Sequence, residues 1–403
     1  MKRILSAEEI QPGNRHRVGG KGYALSLLVK RGFRIPRTVC ITTDMYREYV
    51  RGTGLRERIL LELHRKDFKE MRWEEIWDCA TRIRNMFLIK PIPEDLAWEM
   101  RDGIATLLGE RTVAVRSSAP GEDDARSSFA GLHQSFVNVK GAESILKHVR
   151  MVWASLWSDA ALLYRQEIGL DVEESVMAVV VQETVVGERS GVAFTQSPND
   201  EGQGVVESVY GLNQGLVDGT VEPDRWIIDR SSNGIVEHTS PERKYWLIPG
   251  SKGVCRAELP AGKAERAPLS DQEVHFVFKT ARKAEVFFQV PQDVEWTYEG
   301  HSLVLLQSRP ITTLRTERPE DERVWYLSLH RSYDNLKKLR RKIEGELIPK
   351  MISIAKSVAR VIRNHSDLTD FKHGDVLVCD AVDPNITFVV PIVSGVVERR
   401  GEC

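Results

Sequence analysis

The sequence is poor in the features that usually announce a site. Its five cysteines, Cys40, Cys79, Cys255, Cys379 and Cys403, are scattered without a CxxC pair, which argues against a zinc site and against a disulfide framework. It contains no GxxxxGK[ST] phosphate loop, no GxGxxG and no HExxH. A nucleotide or metal site must therefore be built another way. No apolar run nears the about 18 residues that would span a bilayer, so no membrane partner is expected. The opening "MKRILSAEEIQPG" is basic but lacks an apolar stretch. No signal peptide is expected from it, and a reducing cytoplasm is the expected compartment. A net charge of −1 exerts no overall pull on nucleic acid or anionic lipid.

What is there resembles an ordinary globular chain, 41% hydrophobic and 29% charged. Its 403 residues allow two or three domains at about 150 residues each. "GGKGYALSLLVKRGF" reads as a glycine turn and then a helix from about Lys21 to Arg31. "TVCITT" reads as a strand. Asp44 to Leu108 reads as helical, broken at "KPIPED". A further helix is expected over Leu146–Arg165, with Trp153, Leu156 and Trp157 as core. Strand signals follow in "SVMAVVVQETV", "SGVAFT", "GVVESVYG" and "DRWIID", then loops with short strands. Ser270 and Glu273 open a helix with a capping box. "PQDVEWTYEGHSLVLLQSRPITT" reads as a hairpin turning at "EG". After Thr313 a charged linker leads to a basic amphipathic stretch, Leu327–Asn364, expected to be helical, and then to strands and turns.

Four segments display polar residues where strands end or loops begin. "VGGKG" sets Lys21 at a helix N-terminus, where a cation opposes the helix dipole unless an anion lies between them. "VAVRSSAPGEDDARSSFAGLHQSFVNV" slings two arginines, five serines and three acids between two strands. Arg116 ends the first of these strands, which suits fork-like phosphate binding. In "VVVQETV", Gln182 could read an adenine edge. In "DVEWTYEGHSLVLLQSRP", Asp293 and Glu295 share one face, as do Gln307 and Arg309 on the returning strand. Carboxylate and amide oxygens suit Mg²⁺. Each segment also has a plainer reading. Lys21 could be a solvated lysine, Arg116 could pair with Glu122 or Asp123, Gln182 could lie on an edge strand turning polar, and the hairpin could carry a cross-strand salt bridge. Taken together, the inventory can hold a polyphosphate and its metal without a phosphate loop, and phosphoryl transfer asks little more of a protein than positioning and charge.

"VGGKGYALSLL", the long polar loop, "VVVQETVVGERSGVAFTQSP", "YGLNQGLVDGTVEPD" and "DVEWTYEGHSLVLLQSRPIT" resemble, in order, the ATP-binding domain of the phosphoenolpyruvate synthase and pyruvate, phosphate dikinase family, to which rifampicin phosphotransferase also belongs. The resemblance covers roughly Gly13–Thr313, and "GDVLVCDAVDPNITFVVPIVSGVVER" is similar to the front of the family's phosphohistidine swivel domain. It implies an α+β, ATP-grasp-type fold of two nucleotide-binding subdomains, at 1–195 and 196–315, then a helical linker at 316–370 and an incomplete swivelling β/α domain at 371–403. It implies ATP and Mg²⁺ as cofactors. Lys21, Arg116 and Arg309 would contact phosphate, the two arginines in catalytic roles. Glu295 and Gln307 would contact metal or phosphate, Gln182 the nucleotide, and Gly131 and Ser135 would lie on the loop over the phosphates.

In the family the β-phosphoryl group passes from ATP to a swivel histidine and then to an acceptor such as pyruvate, leaving AMP and phosphate. None of the ten histidines here follows "VVER" where the family places its own. The expectation is a chain that binds ATP but lacks the relay: a fragment, a truncated gene, or half of a split enzyme whose swivel histidine sits on a separate chain. A family kinase acting on an antibiotic or glycan, and a non-catalytic ATP-binding module, are the alternatives.

Overall fold

The computed structural model describes residues 2–67, 70–121, 134–167, 171–197, 200–250 and 253–311, and four short strands beyond them. The chain divides into two compact units, Met1–Arg315 and Thr316–Cys403.

The first unit opens with β1 (Ile4–Ser6), α1 (Arg15–Lys30), β2 (Thr38–Ile41), α2 (Thr43–Gly52), α3 (Leu55–Leu63), α4 (Trp73–Ile89), α5 (Glu94–Leu108), β3 (Val113–Ser118), β4 (Ser135–Val139), α6 (Ala142–Ser155), α7 (Asp159–Glu167) and β5 (Ala178–Glu183). The five strands form an antiparallel sheet in the order β1-β2-β5-β3-β4. Alternation on β5 feeds two cores. Val179 and Val181 join a cluster with the helices α2 to α7, while Val180 joins a second cluster with Leu25 and Leu28 of α1. The helical region breaks at its prolines, with α4 ending at Ile89 and α5 starting at Glu94.

One expectation is extended and one needs correction. A first helical turn runs from Arg15 and stops at Gly19, whose φ is +71°, and the helix expected from about Lys21 follows it to Lys30. A Cβ on Gly19 would stand 2.1 Å from the Ser118 carbonyl oxygen, so only glycine allows this approach. The single helix expected over Leu146–Arg165 is two. Ser155 donates its hydroxyl to the Val152 carbonyl at 2.7 Å, and Ser158 caps the next helix by accepting from the Ala161 N–H at 3.2 Å. Serines that hydrogen-bond their own backbone compete with helix continuation. Trp153, Leu156 and Trp157 are buried as expected, at 0%, 1% and 2% exposure.

The chain then builds β6 (Arg189–Phe194), β7 (Gln203–Tyr210), the short α8 (Gln214–Val217), β8 (Asp224–Asp229), β9 (Ile235–Thr239), the ribbon β10 (Tyr245–Pro249) and β11 (Val254–Glu258), α9 (Ala261–Ala264), α10 (Asp271–Phe288), β12 (Gln292–Glu299) and β13 (Ser302–Pro310). Six of these strands make a second antiparallel sheet, β13-β12-β6-β7-β8-β9. The change of sheet therefore falls between Glu183 and Arg189, ahead of residue 195. The Ser270–Glu273 capping box is present at the start of α10. Ala193, Val206, Trp226, Val294 and Trp296 close this sheet's inner face against α1 and α10.

In the second unit, β14 (Tyr326–Leu327), β15 (Ala359–Val361), β16 (Val376–Cys379) and β17 (Gly395–Glu398) form a parallel sheet in the order β14-β17-β16-β15. The last two are the strands expected there. The first two lie where the sequence reads as helix. Ala359–Val361 pairs residue for residue with Val376–Val378, so strand pairing overrides the local amphipathic pattern. The remainder of that stretch is outside the described residues.

Candidate functional site

The hairpin of β12 and β13 is the platform. Its register sets Glu295 opposite Gln307 and Asp293 opposite Arg309, with a bulge just after Glu295. Residues directly opposite share a face. The same ladder runs Glu295–Val192–Glu207–Arg225 across the sheet. One face thus carries Gln307, Arg309, Asp293, Glu295, Glu207 and Arg225, while Val294 and Trp296 point into the core.

The first sheet contributes from the other side. Arg116 is on β3, two residues beyond Ala114, which stands opposite Gln182. Its Nη1 donates to Glu295 Oε2 and to Gln307 Oε1, both at 3.3 Å. Arginine and carboxylate are 14% and 15% exposed, so the contact is largely out of water. Lys21 reaches the neighbouring Ser117, with Nζ donating to Oγ at 3.4 Å. The glycine turn before it is stitched to the same strand. Gly22 N donates to Ser118 Oγ at 3.1 Å, Ser118 Oγ donates to the Val18 carbonyl at 2.7 Å, and Gly20 N donates to Ala119 O at 3.3 Å. The kink at Gly19 and this stitching hold the turn that carries Lys21 against the end of β3.

Arg309 donates from Nε to Asp293 Oδ2 at 2.7 Å. Burial pushes the Asp293 carboxyl up, Arg309 pulls it down, and Glu295 pushes it up further. Glu207 is likewise pushed up by burial, partly offset by Arg225. Gln182 is 1% exposed, and its Nε2 donates to Thr38 Oγ1 at 3.2 Å and to the Leu306 carbonyl at 3.3 Å. The amide ties β5 to the strand that carries Gln307. Ser135 stands opposite Arg116 in the ladder and is exposed. Gly131 lies outside the described residues.

Arg116, Glu295 and Gln307 are therefore brought together, with Arg309 two residues along the same face, while Lys21 reaches Ser117, the residue after Arg116. Asn213 belongs to the group as well and was missed by sequence reasoning. Its Nδ2 donates to Glu295 Oε2 at 3.4 Å. Its glycine-rich surroundings in "YGLNQGLVDG" were the available signal. Glu207 was missed too, because its partner Arg225 is on another strand.

Among the described residues no three His, Cys, Asp or Glu side chains cluster as a metal site. A different donor set is on offer: the Glu295 carboxylate, the Gln307 amide, and two buried oxygens without a described hydrogen-bond partner, Asp293 Oδ1 and Asn213 Oδ1. Hard oxygens with few carboxylates fit Mg²⁺, which completes its shell with phosphate oxygens and water. A separate cavity of about 390 Å³, lined by Arg47, Arg51, Arg56, Ile59 and Trp157 among others, lies in the helical layer away from this hairpin.

Residues 15–326 match the family model described as the pyruvate phosphate dikinase AMP/ATP-binding domain. The chain belongs to this family. The chain is 31% identical to a probable phosphoenolpyruvate synthase of Methanocaldococcus jannaschii, over 100% of this chain and 33% of that one. It is 32% identical to a rifampicin phosphotransferase of Bacillus cereus, over 77% of this chain and 36% of that one. It thus spans between a third and somewhat over half of the phosphoenolpyruvate synthases it matches, at 33%, 50% and 57% of their lengths. A crystal structure of PH1788 from Pyrococcus horikoshii Ot3 aligns over 64% of this chain and 97% of that one with a TM-score of 0.29 and 14% identity, too low to bear on the fold.

Proposed function

We propose that this chain is the ATP–Mg²⁺-binding part of a phosphoenolpyruvate synthase-like enzyme. The observation that carries this reading is the meeting of Arg116, from one sheet, with Glu295 and Gln307, from the other. Such a junction holds a cation and a triphosphate between two layers, as in an ATP-grasp-type fold of two subdomains, at 1–195 and 196–315. Lys21, Arg116 and Arg309 neutralise phosphate charge. Glu295 and Gln307 hold Mg²⁺, which when bound screens the phosphate oxygens. Arg116 and Arg309 stand ready to meet charge that develops on the transferred group. Gln182 orders the strand beside the nucleotide, and Gly131 and Ser135 belong to the loop that covers the phosphates.

In this reading the β-phosphoryl group passes to a swivel histidine supplied outside these 403 residues, on a longer form or a separate chain. From there it passes to pyruvate, while water takes the γ-phosphoryl group, giving phosphoenolpyruvate, AMP and phosphate. The cytoplasm is the matching compartment. Pyruvate is preferred as acceptor because relatives named as phosphoenolpyruvate synthases align over 95–100% of the chain, whereas the rifampicin phosphotransferases align over 77–81%. An antibiotic acceptor is the second reading, since those enzymes match at 32–35% identity.

Thermal melting of the 403-residue chain with and without ATP–Mg²⁺ tests the binding. A ligand at about a hundred times its Kd adds about 2.7 kcal/mol to the folded state, and Arg116→Ala should abolish the shift. A wild-type melting curve unmoved by saturating ATP–Mg²⁺ sinks the reading.

A further inference from the structure

The turn after β7 is more tightly built than a connection requires. Gly211 has φ +79°, and a Cβ there would lie 2.3 Å from the Leu247 carbonyl oxygen. Leu212 N donates to that same carbonyl at 2.9 Å. A Cβ on Gly215 would meet Val221 at 2.8 Å and Leu247 at 3.1 Å, and Val221 N donates to Gly215 O at 2.8 Å. Two glycines pressed against β10 thus pin the three residues between them, the middle one being Asn213, which is 6% exposed. Its Nδ2 donates to Glu295 Oε2. Its Oδ1, on the same carboxamide carbon, is buried and accepts nothing among the described residues, and neither does Oε1 of the adjacent Gln214. A desolvated amide oxygen held this firmly is unfavourable without a donor or a cation. An amide oxygen is also a hard neutral ligand that adds no charge beside Glu295.

We propose that Asn213 supplies a further oxygen ligand, Oδ1, to the divalent cation held by Glu295 and Gln307, while its Nδ2–H orients the Glu295 carboxylate. This rests on the reading of the hairpin as the cation site.

The test titrates Mg²⁺ into the 403-residue chain at fixed ATP and follows the metal-dependent rise in melting temperature. Asn213→Ala should raise the half-saturating Mg²⁺ concentration about tenfold or more, with nucleotide binding in excess chelator unchanged. Asn213→Asp restores an oxygen and should recover much of the metal response, which also covers failure of the alanine variant to fold. Glu295→Gln is the control for the underlying site. Wild-type Mg²⁺ dependence in Asn213→Ala with an impaired Glu295→Gln overturns the role of Asn213 alone. Loss of binding in Asn213→Ala that is equal with and without metal overturns it as well, by reducing the residue to a structural one. Unchanged Mg²⁺ dependence in both Asn213→Ala and Glu295→Gln removes the cation site itself.

Discussion

The two sheets of the first unit solve burial differently. In the five-stranded sheet the central strand β5 is apolar on both faces, with Val179 and Val181 turned to the helices and Val180 to the layer beneath. In the six-stranded sheet Trp226, Val294 and Trp296 fill one face, and the opposite face mixes the buried Val192, Val205 and Val209 with three carboxylates and two arginines. Ionised groups tolerate partial desolvation only beside partners, and here the partners sit on neighbouring strands or arrive from the other sheet as Arg116. The first sheet is chiefly scaffold, lending polar groups only where β3 and α1 meet. The second is half scaffold and half chemistry, and that division runs between adjacent residues.

Glu295 and Trp296 break the comparison most sharply, being neighbours on opposite faces. Trp296 is fully buried at 0% exposure, and its replacement by alanine should cost about 3–5 kcal/mol. Glu295→Ala should cost much less stability yet abolish metal-dependent nucleotide binding. Urea unfolding and an ATP–Mg²⁺ titration on both variants read the two effects. A Glu295→Ala variant that binds normally, or a Trp296→Ala variant as stable as wild type, would erase the distinction between the faces.

The two arginines sharpen it. Arg309 and Asp293 belong to one hairpin, and Asp293 is 8% exposed. Arg309→Ala strands that carboxylate and should cost about 1–3 kcal/mol, below the figure for a fully buried pair because the arginine side chain is 35% exposed. Arg116→Ala should cost less, because the Glu295 it leaves behind keeps Asn213 as a donor. Both should weaken nucleotide binding. The order of their urea midpoints checks the argument, and Arg116→Ala proving the less stable of the two contradicts it.

The residues whose roles depend on period and ladder were legible in the sequence. The 2-residue repeat put Asp293 and Glu295 on one face and Gln307 and Arg309 on one face of the returning strand, and the ladder has both pairs so. The match of Glu295 with Gln307 across the hairpin, by contrast, depends on the bulge after Glu295, which no local pattern announces. The capping box at Ser270 and the buried Trp153 and Trp157 were equally local readings. What could not be read were pairings between distant segments. Arg116 meets a carboxylate 179 residues away, and Asn213 is held in place by backbone contacts with β10. Gln182 looked like a group free to read a base, whereas its amide ties two sheets together. The strand at Ala359–Val361 escaped because a parallel partner, not its own sequence pattern, decides its state.

The smallest expected effect concerns pH, and it separates the charged face from the exposed acids elsewhere. Glu207 is held above its ordinary value of 4.5 by burial. For a carboxyl raised in the folded state, the native chain holds the proton more tightly than the unfolded one. Its stabilising contribution is therefore complete below the unfolded pKa and is lost as pH rises through the folded pKa. Glu9, Glu75 and Glu94 are lowered by their basic partners and slope the other way, so the whole protein's pH profile mixes both signs. Comparing wild type with Glu207→Gln cancels those groups. As pH rises above the ordinary glutamate range the wild type should lose stability relative to the glutamine variant, as the buried carboxyl ionises with Arg225 to offset it and Asp293 opposing it. Urea midpoints of the two proteins at several pH values measure the difference. Parallel profiles would mean that Glu207 ionises as freely in the folded chain as in the unfolded one, and that the charged face is better solvated than its burial implies.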